Sequence, residues 1–270
     1  MMTQNDVLIL KDISKSFYPG TPNQNNVLNQ LNLTVKKGDF ITIIGGNGSG
    51  KSTLLNSIAG TFLIDKGSIK INDEEIKKLK EEQRANMIGR VFQDPLMGTA
   101  PRMTVSENLS IAYRRGQKRT MRRGSSSKER EYFERLLIKL DLGLEKRLDS
   151  EMGLLSGGQR QAIALLMATM KRPELLLLDE HTAALDPKTA SVVLELTRKR
   201  IEEEDLTALM ITHNMQDALN YGNRLIMLDK GRVIIDLSGK DKQDLTVEEV
   251  LDLFQKSTKS QLLSDEMLLS

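Results

Sequence analysis

Between Gly45 and Thr53 the chain reads GGNGSGKST. The pattern G-x-x-x-x-G-K-[ST] follows an apolar, strand-like run, DFITIIG, and opens a helical one, KSTLLNSIAG. Its glycines let backbone N–H groups turn inward around phosphate, and the helix N-terminus adds partial positive charge. Gly45, Gly46, Asn47, Gly48, Ser49 and Gly50 therefore form the candidate phosphate cradle. Lys51 is placed to reach the β- and γ-phosphates, Ser52 to ligate Mg²⁺ and Thr53 to sit near the α-phosphate. A second run, LLLLDE at Leu175–Glu180, is apolar until it ends in two carboxylates. Such a run fits a buried central strand. Asp179 at its tip can hold the Mg²⁺ hydration shell, and Glu180 can take a proton from water attacking the γ-phosphate.

These residues need a scaffold that brings strand ends together. Short β-like runs fill Val7–Val35, separated by the polar loop YPGTPNQNN. GSIKIND, IGRVFQD, ELLLLDE, TALMITH and NRLIMLDKGRVII carry further strand patterns. Helices are expected at Glu74–Asn86, Lys188–Glu204 and Met215–Tyr221. Between Pro95 and Lys171 helical patterns dominate, with a capping-box spacing at Thr104-x-x-Glu107. The order predicts an α/β fold: a mainly parallel sheet core, an antiparallel β portion and an inserted helical lobe over about 95–171. An ATPase domain over 1–240 is expected, with a helix and tail over 241–270. Ligands on parallel sheets lie at the carboxyl ends of strands, where Gly45, Asp179–Glu180 and His213 all fall.

The 270 residues are 39% hydrophobic, carry a net charge of +2 and include no cysteine. This excludes disulfides and cysteine-ligated metal, fits a reducing compartment and gives no overall field for nucleic acid. No signal-peptide pattern is present, and no apolar run approaches the roughly 20 residues needed to span a bilayer. A soluble protein is expected. The basic stretch Arg114–Arg130 lacks interleaved aromatics for base stacking and reads as a solvated loop. The tail begins with Thr246-x-x-Glu249, predicting a short amphipathic helix.

LSGGQ at Leu155–Gln159 makes the resemblance specific. The chain resembles nucleotide-binding subunits of the ATP-binding cassette (ABC) family, P-loop NTPases, over roughly Leu8–Gly239. The resemblance implies that Ser156, Gly157, Gly158 and Gln159 act on ATP held by a second copy paired head to tail, and that Asp186 in ALDP lies in a loop crossing that interface. It implies that Gln93 in VFQD senses Mg²⁺ and the attacking water, that His213 contacts the γ-phosphate and orients Glu180, and that Phe17 lies under adenine, with Tyr18 its rival. Partners implied are a second copy, an integral membrane permease docked on the segment FQDPLMGTAPRMTVSENL and, indirectly, a substrate-binding lipoprotein. The chain is then cytoplasmic and peripheral on the inner face of the membrane. The combination of motifs looks like an uptake branch associated with aromatic amino acids, tryptophan especially. An exporter subunit and a non-transport ABC ATPase are the alternatives. One departure stands out: His181 occupies a position where most of the family has proline, and it reads as a structural variant because Glu180 already serves as base.

Overall fold

A computed structural model describes residues 5–117 and 125–256. The middle of the basic stretch and the end of the tail, residues 257–270, lie outside the described residues. The chain forms two compact units, one from residues up to Leu79 and from Leu209 onward, the other Lys80–Ala208. The first opens with β1 (Asp6–Phe17), β2 (Asn25–Lys36), β3 (Phe40–Ile44), α1 (Lys51–Ala59), β4 (Lys66–Ile71) and β5 (Glu74–Glu75). The second holds α2 (Glu81–Arg84), β6 (Ile88–Val91), α3 (Val105–Tyr113), α4 (Ser127–Ile138), α5 (Gly157–Thr169), β7 (Leu175–Asp179) and α6 (Pro187–Glu203). The chain returns to the first through β8 (Ala208–Ile211), then α7 (Met215–Asn220), β9 (Arg224–Asp229), β10 (Arg232–Ser238) and α8 (Lys240–Gln243). Residues 247–256 are helical, and Thr246 and Glu249 exchange the capping bonds their spacing predicts.

In the first unit, β2, β1, β4 and β5 form an antiparallel sheet in that order. β9 pairs antiparallel with β10 and parallel with β3, and β8 flanks β3 on its other side. All five residues of β3 are buried, so FITII shows no apolar–polar alternation, and its one polar residue, Thr42, donates its hydroxyl to the Ala218 carbonyl at 2.8 Å. The β9–β10 turn puts Lys230 and Gly231 at φ 44° and 75°, the left-handed pair of a tight hairpin.

In the second unit β6 and β7 run parallel, with Ile88 opposite Leu175 and Val91 opposite Leu178. Leu175, Leu176, Leu177 and Leu178 are each 0% exposed. Burial of each contributes roughly 1.5–3 kcal/mol, so the strand that carries Asp179 is firmly held. Leu109, Phe133, Leu137, Ile163 and Leu166 share one core among α3, α4 and α5. Those helices start with reciprocal capping boxes, Thr104–Glu107, Ser126–Glu129 and Ser156–Gln159.

The helix expected over Glu74–Asn86 does not form as such. Glu74–Glu75 pairs with β4, and only Glu81–Arg84 is helical. Asn72 and Asp73 take φ 45° and 69°, closing a hairpin, and Ile76 returns its N–H to the Ile69 carbonyl while its side chain is fully buried. Turn chemistry overrides the helix-favouring charge pattern that follows it.

Candidate active site

Within the first unit, β3 runs into the glycine loop and out through α1. Gly45, Gly48 and Gly50 have φ of 151°, 78° and 101°, backbone shapes that L side chains rarely adopt. Gly50 is the N-cap of α1 and supplies no side-chain hydrogen bond, so no cap competes for the first amides of the helix. Lys51 is 6% exposed, and its Nζ donates to the carbonyls of Gly45 at 2.8 Å and Gly46 at 3.1 Å. The ammonium is thus folded over the loop. The Ser49 hydroxyl is buried with no hydrogen-bond partner among the described residues. A buried unpaired hydroxyl is costly unless a ligand satisfies it. Gly46, Asn47, Gly48 and Ser52 are exposed, and Thr53 is half-buried.

Two further residues of this unit were expected at the site. His213 is exposed just past β8, fixed between the Thr212 N–H bond to Ile43 and Asn214, which caps α7 through the Gln216 and Asp217 amides. Phe17 is half-buried, meets Phe62 edge-on with centroids 5.3 Å apart, and has Lys15 Nζ 5.6 Å from its ring centre. Tyr18 is 69% exposed.

The second unit gathers the acidic and signature residues. Asp179 ends β7 half-buried, with its Oδ2 3.7 Å from Arg90 Nη2. Arg90 also lies 3.8 Å from Glu81 and stacks over Phe92 at 4.3 Å. Burial pushes its pKa down while Asp179 and Glu81 oppose that shift. Sequence reasoning missed this arginine. The available signal was strand parity, which puts Arg90 on the same side as Phe92, the residue just past the end of β6. Gln93 follows, exposed, and the buried Gln161 of α5 donates to the Phe92 carbonyl at 3.0 Å, fixing the chain beside it. Gln161 was also missed.

Glu180 has φ 46°, and its carbonyl accepts from the Ala183 N–H at 2.9 Å. Ser156 caps α5: its hydroxyl accepts from the Gln159 N–H while Gln159 Oε1 accepts from the Ser156 N–H. Asp186 is exposed and caps α6 by accepting from the Thr189 N–H; hydrogen bonds from the Thr189 side chain and then its backbone hold the Asp186 carboxyl below the usual range. Gly157 and Gly158 are small for a packing reason. A Cβ on Gly158 would sit 2.1 Å from Thr189 Cγ2, and one on Gly157 would sit 3.1 Å from Leu185 Cδ2. Gly158→Ala must therefore rotate the Thr189 side chain out of its place or move α6 away from α5. It is expected to lower unfolding free energy by about 1–3 kcal/mol, measured by urea denaturation, with Gly157→Ala costing less.

His181 is 2% exposed, and its Nε2 lies 2.9 Å from Thr197 Oγ1. The Thr197 hydroxyl proton goes to the Val193 carbonyl at 2.8 Å, so Nε2 carries the hydrogen and donates. Burial lowers the ring's pKa to about 4. The unfolded chain, titrating near 6.5, takes up a proton first as pH falls. Stability held by the neutral ring is complete above that value and is lost as pH drops toward 4, at about 1.4 kcal/mol per pH unit. Urea midpoints should fall more steeply between pH 6.5 and 4.5 for the unaltered chain than for His181→Gln. Equal slopes would remove His181 from the titration.

Among the described residues no group of three or more histidine, cysteine, aspartate or glutamate side chains could hold a metal. Ser52 in the first unit and, separately, Gln93 and Asp179 in the second each carry a hard oxygen donor. That chemistry fits Mg²⁺, which binds through one or two protein ligands, water and substrate phosphates rather than an all-protein cage. The second unit also carries a largely apolar cavity of about 580 Å³, walled by Phe92, Pro95, Ile111 and Met167 and bordered by Arg90, Arg114 and Arg115. Ile111 there is 56% exposed. No helix among the described residues is long and apolar enough to cross a membrane.

The family model described as ABC transporter matches residues 28–183. A tyrosine transport ATP-binding protein of Clostridioides difficile (strain R20291) is 46% identical over 249 residues, covering 92% of this chain and 99% of that protein. An ATP-binding cassette solved as a post-hydrolysis dimer bound to ADP and Pi is 30% identical, with a TM-score of 0.73 over 86% of this chain and 98% of that one. cbiO1 from Clostridium perfringens, part of the ABC transporter complex cbiONQ, is 26% identical, with a TM-score of 0.74 over 96% of this chain and 100% of that one. Glycine loop, acidic strand end and capped LSGGQ helix together place the chain in the ABC transporter family, as an ATP-binding and ATP-hydrolysing subunit with the P-loop NTPase fold.

Proposed function

We propose that two copies of this chain pair head to tail around ATP and drive uptake of an aromatic amino acid through a separate membrane permease. The observation that carries ATP binding is the Gly45–Ser52 loop, with Lys51 folded over it and the buried Ser49 hydroxyl unsatisfied. On binding, Lys51 exchanges backbone carbonyls for phosphate oxygens, and the uncapped amides of α1 meet the phosphates. Ser52, Asp179 through water, and Gln93 are the residues that would hold Mg²⁺, which neutralises charge on the transferring phosphoryl group. Glu180 takes the proton of the attacking water, and His213 orients Glu180 and the γ-phosphate. Phe17 stacks on adenine, with the exposed Tyr18 as the alternative ring. Ser156, Gly157, Gly158 and Gln159 serve the other copy's ATP, and Asp186 lies at the seam between copies. A two-fold arrangement repeats each contact, giving two composite sites.

In this reading the cavity bordered by Phe92, Pro95 and Ile111 takes the permease's cytoplasmic helix, and the chain lies on the inner face of the membrane. The cargo reading follows the tyrosine transport relative and extends to tryptophan; a substrate-binding lipoprotein would deliver it. The test is uptake of labelled tyrosine and tryptophan by cells carrying the unaltered chain or Lys51→Ala. Loss of uptake of either amino acid in the variant supports the proposal. Unchanged uptake of both removes the aromatic cargo.

A further inference from the structure

We infer that His181 is a positioning residue for Glu180, acting through its buried bond to Thr197. The inference rests on the reading of Glu180 as the base. Glu180 has φ 46°, a backbone region that costs a non-glycine residue free energy and persists only where its surroundings over-determine it. Behind it the chain turns through Ala183, whose N–H closes on the Glu180 carbonyl, and Leu185, whose N–H closes on Thr182. Those bonds are local and do not tie the turn to a rigid element. The next side chain does. His181 reaches α6 and donates to Thr197, itself 1% exposed and bonded to the Val193 carbonyl.

α6 is a suitable anchor. It runs for 17 residues, begins at the Asp186 cap, and packs its first turn against Gly158 at the start of the signature helix. The tether therefore holds the Glu180 turn to the same helix that seats the signature, so the base and the LSGGQ helix keep one register. The ring itself does not take part in proton transfer. It is buried, and its one N–H is committed to Thr197.

Steady-state ATP hydrolysis by the full chain tests this. Thr197→Val removes the acceptor at nearly constant shape, and Thr197→Ser keeps it. His181→Gln keeps a donor near the Nε2 position, while His181→Leu removes it. Loss of the tether is expected to lower kcat about 10-fold with KM for ATP unchanged, in Thr197→Val and His181→Leu alike, and the double variant should be no worse than either single one. Thr197→Ser and His181→Gln should stay within about 2-fold of the unaltered chain. Thermal unfolding measured in parallel separates folding loss from lost turnover, because a merely structural bond would lower Tm and leave kcat intact. Unchanged kcat in Thr197→Val, with Glu180→Gln inactive, overturns the tether and leaves the base in place. Full turnover by Glu180→Gln overturns the reading on which the tether depends.

Discussion

Glu180→Gln is expected to keep ATP bound and lose turnover by on the order of 10³-fold, the range that removal of a positioned general base produces. Glutamine matches glutamate in size and can occupy the same left-handed backbone position at φ 46°, so the loss is chemical and not structural. Its amide cannot accept the proton of the attacking water. In the proposed site, binding rests on other groups: Lys51 over the loop, the α1 amides and the Ser49 hydroxyl. With hydrolysis blocked and binding intact, the closed two-copy state accumulates, since ATP favours whichever state binds it more tightly. Size exclusion in saturating Mg-ATP should show the variant as a dimer and the unaltered chain shifting back to monomer as ATP is consumed. Turnover within 10-fold of the unaltered chain would take the base role away from Glu180.

The residues that carry this prediction were legible because each belongs to a local pattern with a physical cause. Glycines before a lysine, an apolar run ending in carboxylates, and serine three residues before glutamine each state their backbone geometry in the sequence. The structure gives them the loop, the buried β7 and the reciprocated cap at Ser156. What stayed hidden depends on which strand faces which. Arg90 meets Asp179 only because β6 and β7 are parallel neighbours in one register, and Gln161 meets the Phe92 carbonyl only because α5 packs against that strand's end. No spacing rule reports such contacts. The helix expected over Glu74–Asn86 failed for the opposite reason. Its glutamates and lysines favour helix in isolation, but the left-handed Asn72–Asp73 pair had already turned the chain into a hairpin. Gly158 shows a third case: the glycine pattern pointed to phosphate, while the contact that forbids a larger residue is with Thr189 of α6.

Gly45→Ala and Gly46→Ala, adjacent changes in one motif, are expected to have opposite outcomes. At Gly45 φ is 151°, and an added Cβ would lie 2.3 Å from the Leu228 carbonyl oxygen and 2.7 Å from Ser49 Oγ. The carbonyl is backbone of β9, which is held in parallel register with β3 up to the Ile44–Met227 pair, so it cannot swing aside as a side chain would. Relief requires moving β9 or opening the loop, and opening the loop pulls apart the carbonyls that Lys51 grips. Gly46 has no positive φ, and a Cβ there meets nothing within 4 Å. Gly45→Ala should therefore lower unfolding free energy by about 3 kcal/mol, the combined scale of overpacking and backbone strain, and abolish ATP binding in equilibrium dialysis. Gly46→Ala should unfold within about 0.5 kcal/mol of the unaltered chain. Matching urea midpoints for the two variants would mean that β9 yields, and that the loop's shape is not set by its first glycine.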